Sequence, residues 1–267
     1  MIPGKTPTSG LRVLVCNDDG VQAKGLKILE RIAKDLSPDV WVVAPDRDSS
    51  AQSCSSTFDE PVGIEELSPR RFSVRGTPTD CVICALRHVL LDRPPDVILS
   101  GVNAGSNVGE TALLSSTIGG AMMGALQGIK AIGVSVDNVK DATIKYAAVE
   151  HFLPGIIRKL LALSWPERVL MSINFPNLPI SGISGMRPVP LSPLPLQWQV
   201  HPREAPGGSS YYWLSSWWTE AQVQTVARTD LHALYQENTI TITPIQPYTA
   251  HEEALRLLEE VFSSHVP

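Results

Sequence analysis

The chain has 267 residues, with 22 Lys and Arg against 27 Asp and Glu for a formal charge of -5; 18% of it is charged and 43% hydrophobic. That balance excludes intrinsic disorder. Without a basic cluster it also argues against a polyanion such as DNA as the main partner. No apolar run reaches the ~18 residues of a membrane span. The stretch Met1 to Gly10 is polar and lacks an apolar core segment, so no secretory leader is expected.

Taken in chain order, short apolar runs rich in β-branched residues occur at Leu11–Cys16, Val40–Ala44, Asp96–Ser100, Ala131–Val136 and Val169–Ile173. Between them, Leu26, Leu29, Ile32, Ala33 and Leu36 recur at helical spacing. So do Cys81, Ala85, His88, Val89 and Leu91, which Thr79–Asp80 would cap, and Gly119–Gln127 and Ala142–Ala162 read as two further helices. Strands apolar throughout and separated by helices imply a parallel sheet covered on both faces. Residues 11–180 therefore read as a doubly wound α/β domain behind a polar tail over 1–10.

Eight prolines between Pro176 and Pro206 then break the pattern, followed by Tyr211, Tyr212, Trp213, Trp217 and Trp218. Residues 181–236 are expected to form an arm that buries its rings on another subunit, since Trp and Tyr favour such interfaces. Over 237–267, Asn238–Thr243 alternates like a strand and His251–Phe262 reads as an amphipathic helix; both are expected to return to the core. Cys81 and Cys84 form a lone C-x-x-C with only His88 nearby. They read as small helix residues in a reducing cytoplasm rather than as a zinc site.

Ligands of an open parallel sheet sit at the carboxyl ends of its strands. Here the strand ends deliver Asn17-Asp18-Asp19-Gly20, then Ala44-Pro45-Asp46-Arg47-Asp48-Ser49-Ser50, then Gly101-Val102-Asn103-Ala104-Gly105-Ser106-Asn107-Val108-Gly109. Alone, Asp18-Asp19-Gly20 could equally be a turn. Carboxylates, a hydroxyl and amides gathered at three strand ends favour a site instead. Adjacent carboxylates need a cation between them, and oxygen ligands select Mg²⁺, Mn²⁺ or Ca²⁺ over zinc. Gly101, Gly105 and Gly109 would let backbone N–H groups converge on an anion. Ser115-Ser116-Thr117, before Ile118-Gly119-Gly120, reads as an ordinary helix cap or as an anion site.

The succession Asn17-Asp18-Asp19-Gly20, Ala44-Pro45-Asp46-Arg47, Gly76-Thr77-Pro78-Thr79-Asp80-Cys81 and Ser100-Gly101-Val102-Asn103-Ala104-Gly105 resembles the SurE family of metal-dependent 5′/3′-nucleotidases. Ser172-Ile173-Asn174-Phe175-Pro176 and Thr241–Pro244 are similar to it as well. The resemblance implies a Rossmann-like fold and a dimer or tetramer joined by an extended C-terminal arm. It implies hydrolysis of nucleoside monophosphates by in-line water attack, assisted by one divalent ion per subunit. It puts that ion, Mg²⁺ or Mn²⁺, on Asp18, Asp19, Ser50 and Asn103, with Asp18 also a candidate for orienting the water. Asn107, Ser115, Ser116 and Thr117 match the phosphate pocket, which Asn17 and Gly105 border. The chain departs from the family at Ser116 and Ala51, where glycine is common, and at Met123, where glutamate is frequent.

Two rival readings have their own residues. Asp46-Arg47-Asp48 after an apolar strand would suit an aspartyl-phosphate phosphatase, though Ala44-Pro45 separates it from the strand. The altered Ser116 and Met123 would suit a non-catalytic nucleotide binder.

Overall fold

The computed structural model describes residues 10–138, 143–247 and 252–262. Its strands are β1 (Arg12–Cys16), β2 (Asp39–Pro45), β3 (Gly63–Ser68), β4 (Arg71–Arg75), β5 (Val97–Ala104), β6 (Lys130–Val136), β7 (Leu170–Phe175), β8 (Gly185–Pro188), β9 (Gln197–Glu204), β10 (Ser210–Trp217) and β11 (Thr239–Ile245). Its α-helices are α1 (Lys24–Leu36), α2 (Pro78–Cys84), α3 (Thr111–Leu114), α4 (Ser116–Leu126), α5 (Ala147–Leu161), α6 (Glu220–Thr225), α7 (Asp230–Tyr235) and α8 (Glu252–Phe262).

Among the described residues one sheet of nine strands runs β3-β4-β2-β1-β5-β6-β7-β11-β8. From β4 to β7 all its pairings are parallel. β3 and β11 pair antiparallel at the two flanks. The chain leaves β1 for β2 on one side and later returns to lay β5 on the other. That reversal opens a crevice at the carboxyl ends of β1 and β5.

Burial explains the layers. Leu26, Leu29, Ile32, Ala33 and Leu36 of α1 form one core with Leu153, Ile156 and Ile157 of α5 against one face of the sheet. Val82 of α2 and Ile118, Ala121 and Ala125 of α4 form a second core on the other face. This is the two-sided cover that wholly apolar parallel strands require.

Several sequence expectations are revised. The cap before Cys81 is Thr77, not Thr79–Asp80. Its hydroxyl accepts from Asp80 N while the Asp80 carboxylate accepts from Thr77 N, with Pro78 at the first helical position. That helix passes into a π-helical turn at Ala85–Val89 instead of running on to Leu91. The strand expected to end at Ser100 continues to Ala104, with its register against β6 shifting between Ser100 and Asn103. Gly101, at φ +135, makes this bulge, which re-aims the strand end at the crevice. The hairpin of β3 and β4 had no counterpart in the sequence reading. β3 is the edge strand and is mostly exposed, and β4 beside it has only Ser73 and Val74 buried, so no buried alternation marks them.

The Pro-rich segment is not wholly outside the sheet, because β8 lies within it and pairs with β11. After it, β9 and β10 form a separate antiparallel ribbon with Trp198, Tyr212, Trp213 and Leu214 exposed. The helix expected from Ala142 begins at Ala147 and runs through Pro154. Ala142 and His251 lie outside the described residues.

Candidate active site

Asp18 and Asp19 follow β1 after the single residue Asn17, at the crevice. Asp18 is buried, 3% exposed, and accepts a hydrogen bond from Thr117 Oγ1 at 2.5 Å. Thr117 stands in the first turn of α4, so this contact ties the end of β1 to that helix. Asp19 is half-buried, and the Ala104 backbone N–H opposes the rise of its pKa. Burial pushes the Asp18 pKa up, and the Thr117 hydrogen bond works against it. Burial, then repulsion from Asp18, lifts the Asp19 pKa to about 6. The charges that bear on the pair are each other's and that of Asp48, all negative.

The loop after β2 closes over the pair. Ser49 N donates to the Asp18 carbonyl at 2.9 Å. Ser50 is exposed, and its hydroxyl and backbone N–H both donate to Asp48 Oδ1, at 2.6 and 2.8 Å. Downstream, Gln52 N donates to Ser116 Oγ at 2.8 Å and Ser53 N to the Leu114 carbonyl at 3.1 Å. Thr57 bonds to both oxygens of Asp80, and Thr77 Oγ1 donates to the Ser55 carbonyl at 2.7 Å. The Thr77–Asp80 capping box thus holds this loop as well as its helix. Gly119 of α4 lets the loop lie close, because a Cβ there would collide with the Ser53 carbonyl.

The remaining expected residues fall as follows. Asn103 is half-buried at the end of β5, its Nδ2 donating to the Gly105 carbonyl at 2.8 Å. Asn107 is buried; its N–H donates to Asn174 Oδ1 at 2.7 Å and its Nδ2 to Ser135 Oγ at 2.8 Å. Ser115 caps α4 by accepting from Ile118 N, and Ser116 accepts from Gln52 N. Both hydroxyls act here as acceptors, so each keeps a proton to donate. Ser116 is the first helical residue of α4, and the strain that the glycine of the family would relieve does not arise there. It does arise at Ala51, at φ +58. Met123 is half-buried in α4. Asp46 is exposed, its backbone N–H donating to the Val74 carbonyl, and it is not among the groups that bear on Asp18 or Asp19. Cys81 is buried, Cys84 half-buried and His88 exposed.

Two neighbours escape the sequence reading, and a third, Asp48, enters it only as part of the run after β2. Asp48 bears on both carboxylates. Tyr146, just before α5, lies close enough to Asp19 for that charge to raise its pKa, after burial as the main cause; the Lys24 ammonium sits over its ring at 5.4 Å. Asp230, at the start of α7, is buried and accepts from the backbone N–H groups of Gly109, Ser192 and Leu231, each at 2.8 Å. It fastens the glycine loop to the Pro-rich segment. No local motif announces Tyr146 or Asp230.

The residues present fit a hard divalent cation. Asn17 Oδ1 is buried without a hydrogen-bond partner among the described residues, beside two carboxylates that repel each other. Among the described residues no group of three or more His, Cys, Asp or Glu side chains is placed to hold a metal. Two carboxylates joined by hydroxyl and amide oxygens would make a different, all-oxygen donor set, of the kind that suits Mg²⁺ or Mn²⁺.

Fold and crevice together define a Rossmann-like α/β protein with an acidic oxygen-donor site at the switch point of its sheet. The family model described as survival protein SurE matches residues 13–194. The chain is 37% identical over 260 residues to a 5′-nucleotidase SurE of Paramagnetospirillum magneticum, covering 97% of this chain and 99% of that protein. It is 40% identical over 246 residues to a 5′-nucleotidase SurE of Mesorhizobium japonicum, covering 91% and 96%. The crystal structure of the SurE protein from Aquifex aeolicus superimposes with a TM-score of 0.79 at 29% identity, covering 94% of this chain and 99% of that one. The chain belongs to the SurE family.

Proposed function

We propose that this protein is a 5′-nucleotidase that hydrolyses nucleoside monophosphates with a divalent ion, Mg²⁺ or Mn²⁺, held by Asp18, Asp19, Ser50 and Asn103. The observation that carries this reading is the pair of mutually repelling carboxylates at the switch point, Asp18 buried and Asp19 half-buried. When bound, the ion supplies Lewis-acid charge to a phosphate oxygen. Thr117 holds Asp18 in place. The Ser115 and Ser116 hydroxyls retain protons for phosphate oxygens, and the N-terminus of α4 adds favourable potential. Asn107 Nδ2 keeps one N–H beyond its bond to Ser135 for the same purpose. Donors fixed before the reaction stabilise the charge that spreads over the equatorial oxygens. Asp18 orients the attacking water.

The four free cysteines support placement in a reducing cytoplasm. Among the described residues no helix is long and apolar enough to cross a membrane. The exposed aromatic side chains of β9 and β10 support self-association through that ribbon, as a dimer or tetramer.

Phosphate release from mononucleotides and simple esters, with Mg²⁺, Mn²⁺ and chelator in parallel, tests the reading. Release that needs the metal and disappears in Asp18→Asn, with the circular dichroism spectrum unchanged, is expected. An Asp18→Asn variant working at the wild-type rate overturns it.

A further inference from the structure

Beside the carboxylate crevice lies a cleft of about 610 Å³, within the range of small-molecule sites. It begins at Gly105, one residue beyond Ala104, whose N–H acts on the Asp19 carboxylate. Ser106, Asp137 and Tyr235 line it, with Trp217 as an indole wall at the end of β10. The polar groups form one network. Ser106 Oγ and Tyr235 Oη lie 2.7 Å apart, and each is 3.2 Å from Asp137 Oδ1. Both contacts converge on Oδ1, which leaves Asp137 Oδ2 as an acceptor. The lining also includes Glu220 and, among the described residues, no Lys or Arg.

We infer that this cleft receives the nucleoside half of the substrate, an aromatic base stacked on Trp217 with an amino or ring N–H on Asp137. The inference rests on the nucleotidase reading and deepens it by naming what selects the leaving group. An indole face offers stacking to any base. An acceptor carboxylate with no Lys or Arg beside it among the described residues favours a neutral donor and disfavours a second phosphate. The cleft is therefore built for nucleoside monophosphates over simple esters, which cannot fill it, and over nucleoside bisphosphates, whose extra charge meets Asp137 and Glu220.

Three measurements test this. Free nucleoside titrated into the protein should quench tryptophan emission, and Trp217→Phe should lower that quench. The ratio of kcat/KM on a nucleoside monophosphate to that on glycerol 2-phosphate should fall about tenfold in Trp217→Ala and in Asp137→Asn, the size expected for one lost stack or polar contact. Asp137→Asn should also narrow the discrimination against a nucleoside 3′,5′-bisphosphate. If the wild type hydrolyses both esters but neither variant moves the ratio, the cleft assignment is wrong and the nucleotidase reading stands. If the wild type releases phosphate from no ester under either metal, the nucleotidase reading itself fails. Nucleoside quenching that is equal in wild type and Trp217→Phe also overturns the stack.

Discussion

Thr117 Oγ1 donates to Asp18 Oδ1 at 2.5 Å, joining α4 to the end of β1 across 99 residues of sequence. The hydroxyl opposes the rise in pKa that burial imposes on this carboxyl, so it favours the charged form that a cation needs. A hydrogen bond to a charged group contributes about 1.5–3 kcal/mol. Thr117→Val should therefore weaken Mn²⁺ binding by about tenfold to a hundredfold, and Thr117→Ser should restore most of it. Isothermal titration checks both; unchanged affinity in the valine variant would show the bond to be idle.

Acidification should stabilise the metal-free protein. Asp19 titrates in the folded chain at about 6, against an ordinary value of 3.8, so the native state holds this proton more tightly than the unfolded chain does. Native stability then rises as pH falls through about 6 and is fully gained below the unfolded value. Chelated protein should melt at a higher temperature at about pH 5.5 than at about pH 7.5, and Asp19→Asn should reduce that gain, leaving the part that Asp18 supplies. Saturating Mn²⁺ should reverse the trend, because metal and proton compete for the same oxygens.

Asp230 holds three backbone N–H groups, those of Gly109, Ser192 and Leu231. Asp230→Ala leaves them unsatisfied and should cost about 3 kcal/mol or more in urea unfolding. Asp230→Asn keeps one carbonyl oxygen and should lose less. An alanine variant as stable as wild type would show that water takes over all three bonds.

Ala51 lies at φ +58, a left-handed conformation that a Cβ disfavours. Ala51→Gly should raise stability by about 1 kcal/mol. In the same loop, Gly119→Ala should act the other way, since its Cβ would meet the Ser53 carbonyl. Thermal melting of the two variants separates these effects.

The buried strands and α1 were legible because their side chains face protein and repeat at fixed spacing. The acidic pair was legible because Asp18 and Asp19 stand one residue beyond a strand end. The Thr77 cap was also readable in principle: a threonine followed by Pro78, with Asp80 three residues on, is a helix start, but Thr79–Asp80 offered a similar signal two residues too late. A strand ending at Ser100 puts Asn103 in the loop beyond it, whereas Gly101 makes a bulge within a β5 that runs on to Ala104. Tyr146, Asp137 and Tyr235 could not be found this way. Their neighbours, Asp19 and Ser106, are distant in the chain, and only the packed sheet brings them together.

The last paired strand has a bearing on any attempt to shorten this protein. β11 covers one side of β7, whose six residues are all buried, and β8 lies beyond β11. Cutting the chain after the parallel core would bare a row of amide and carbonyl groups flanked by Leu170, Ile173 and Phe175. Such an unprotected rim invites other chains to pair with it, so a minimal fragment ending near residue 180 would clump before it could work.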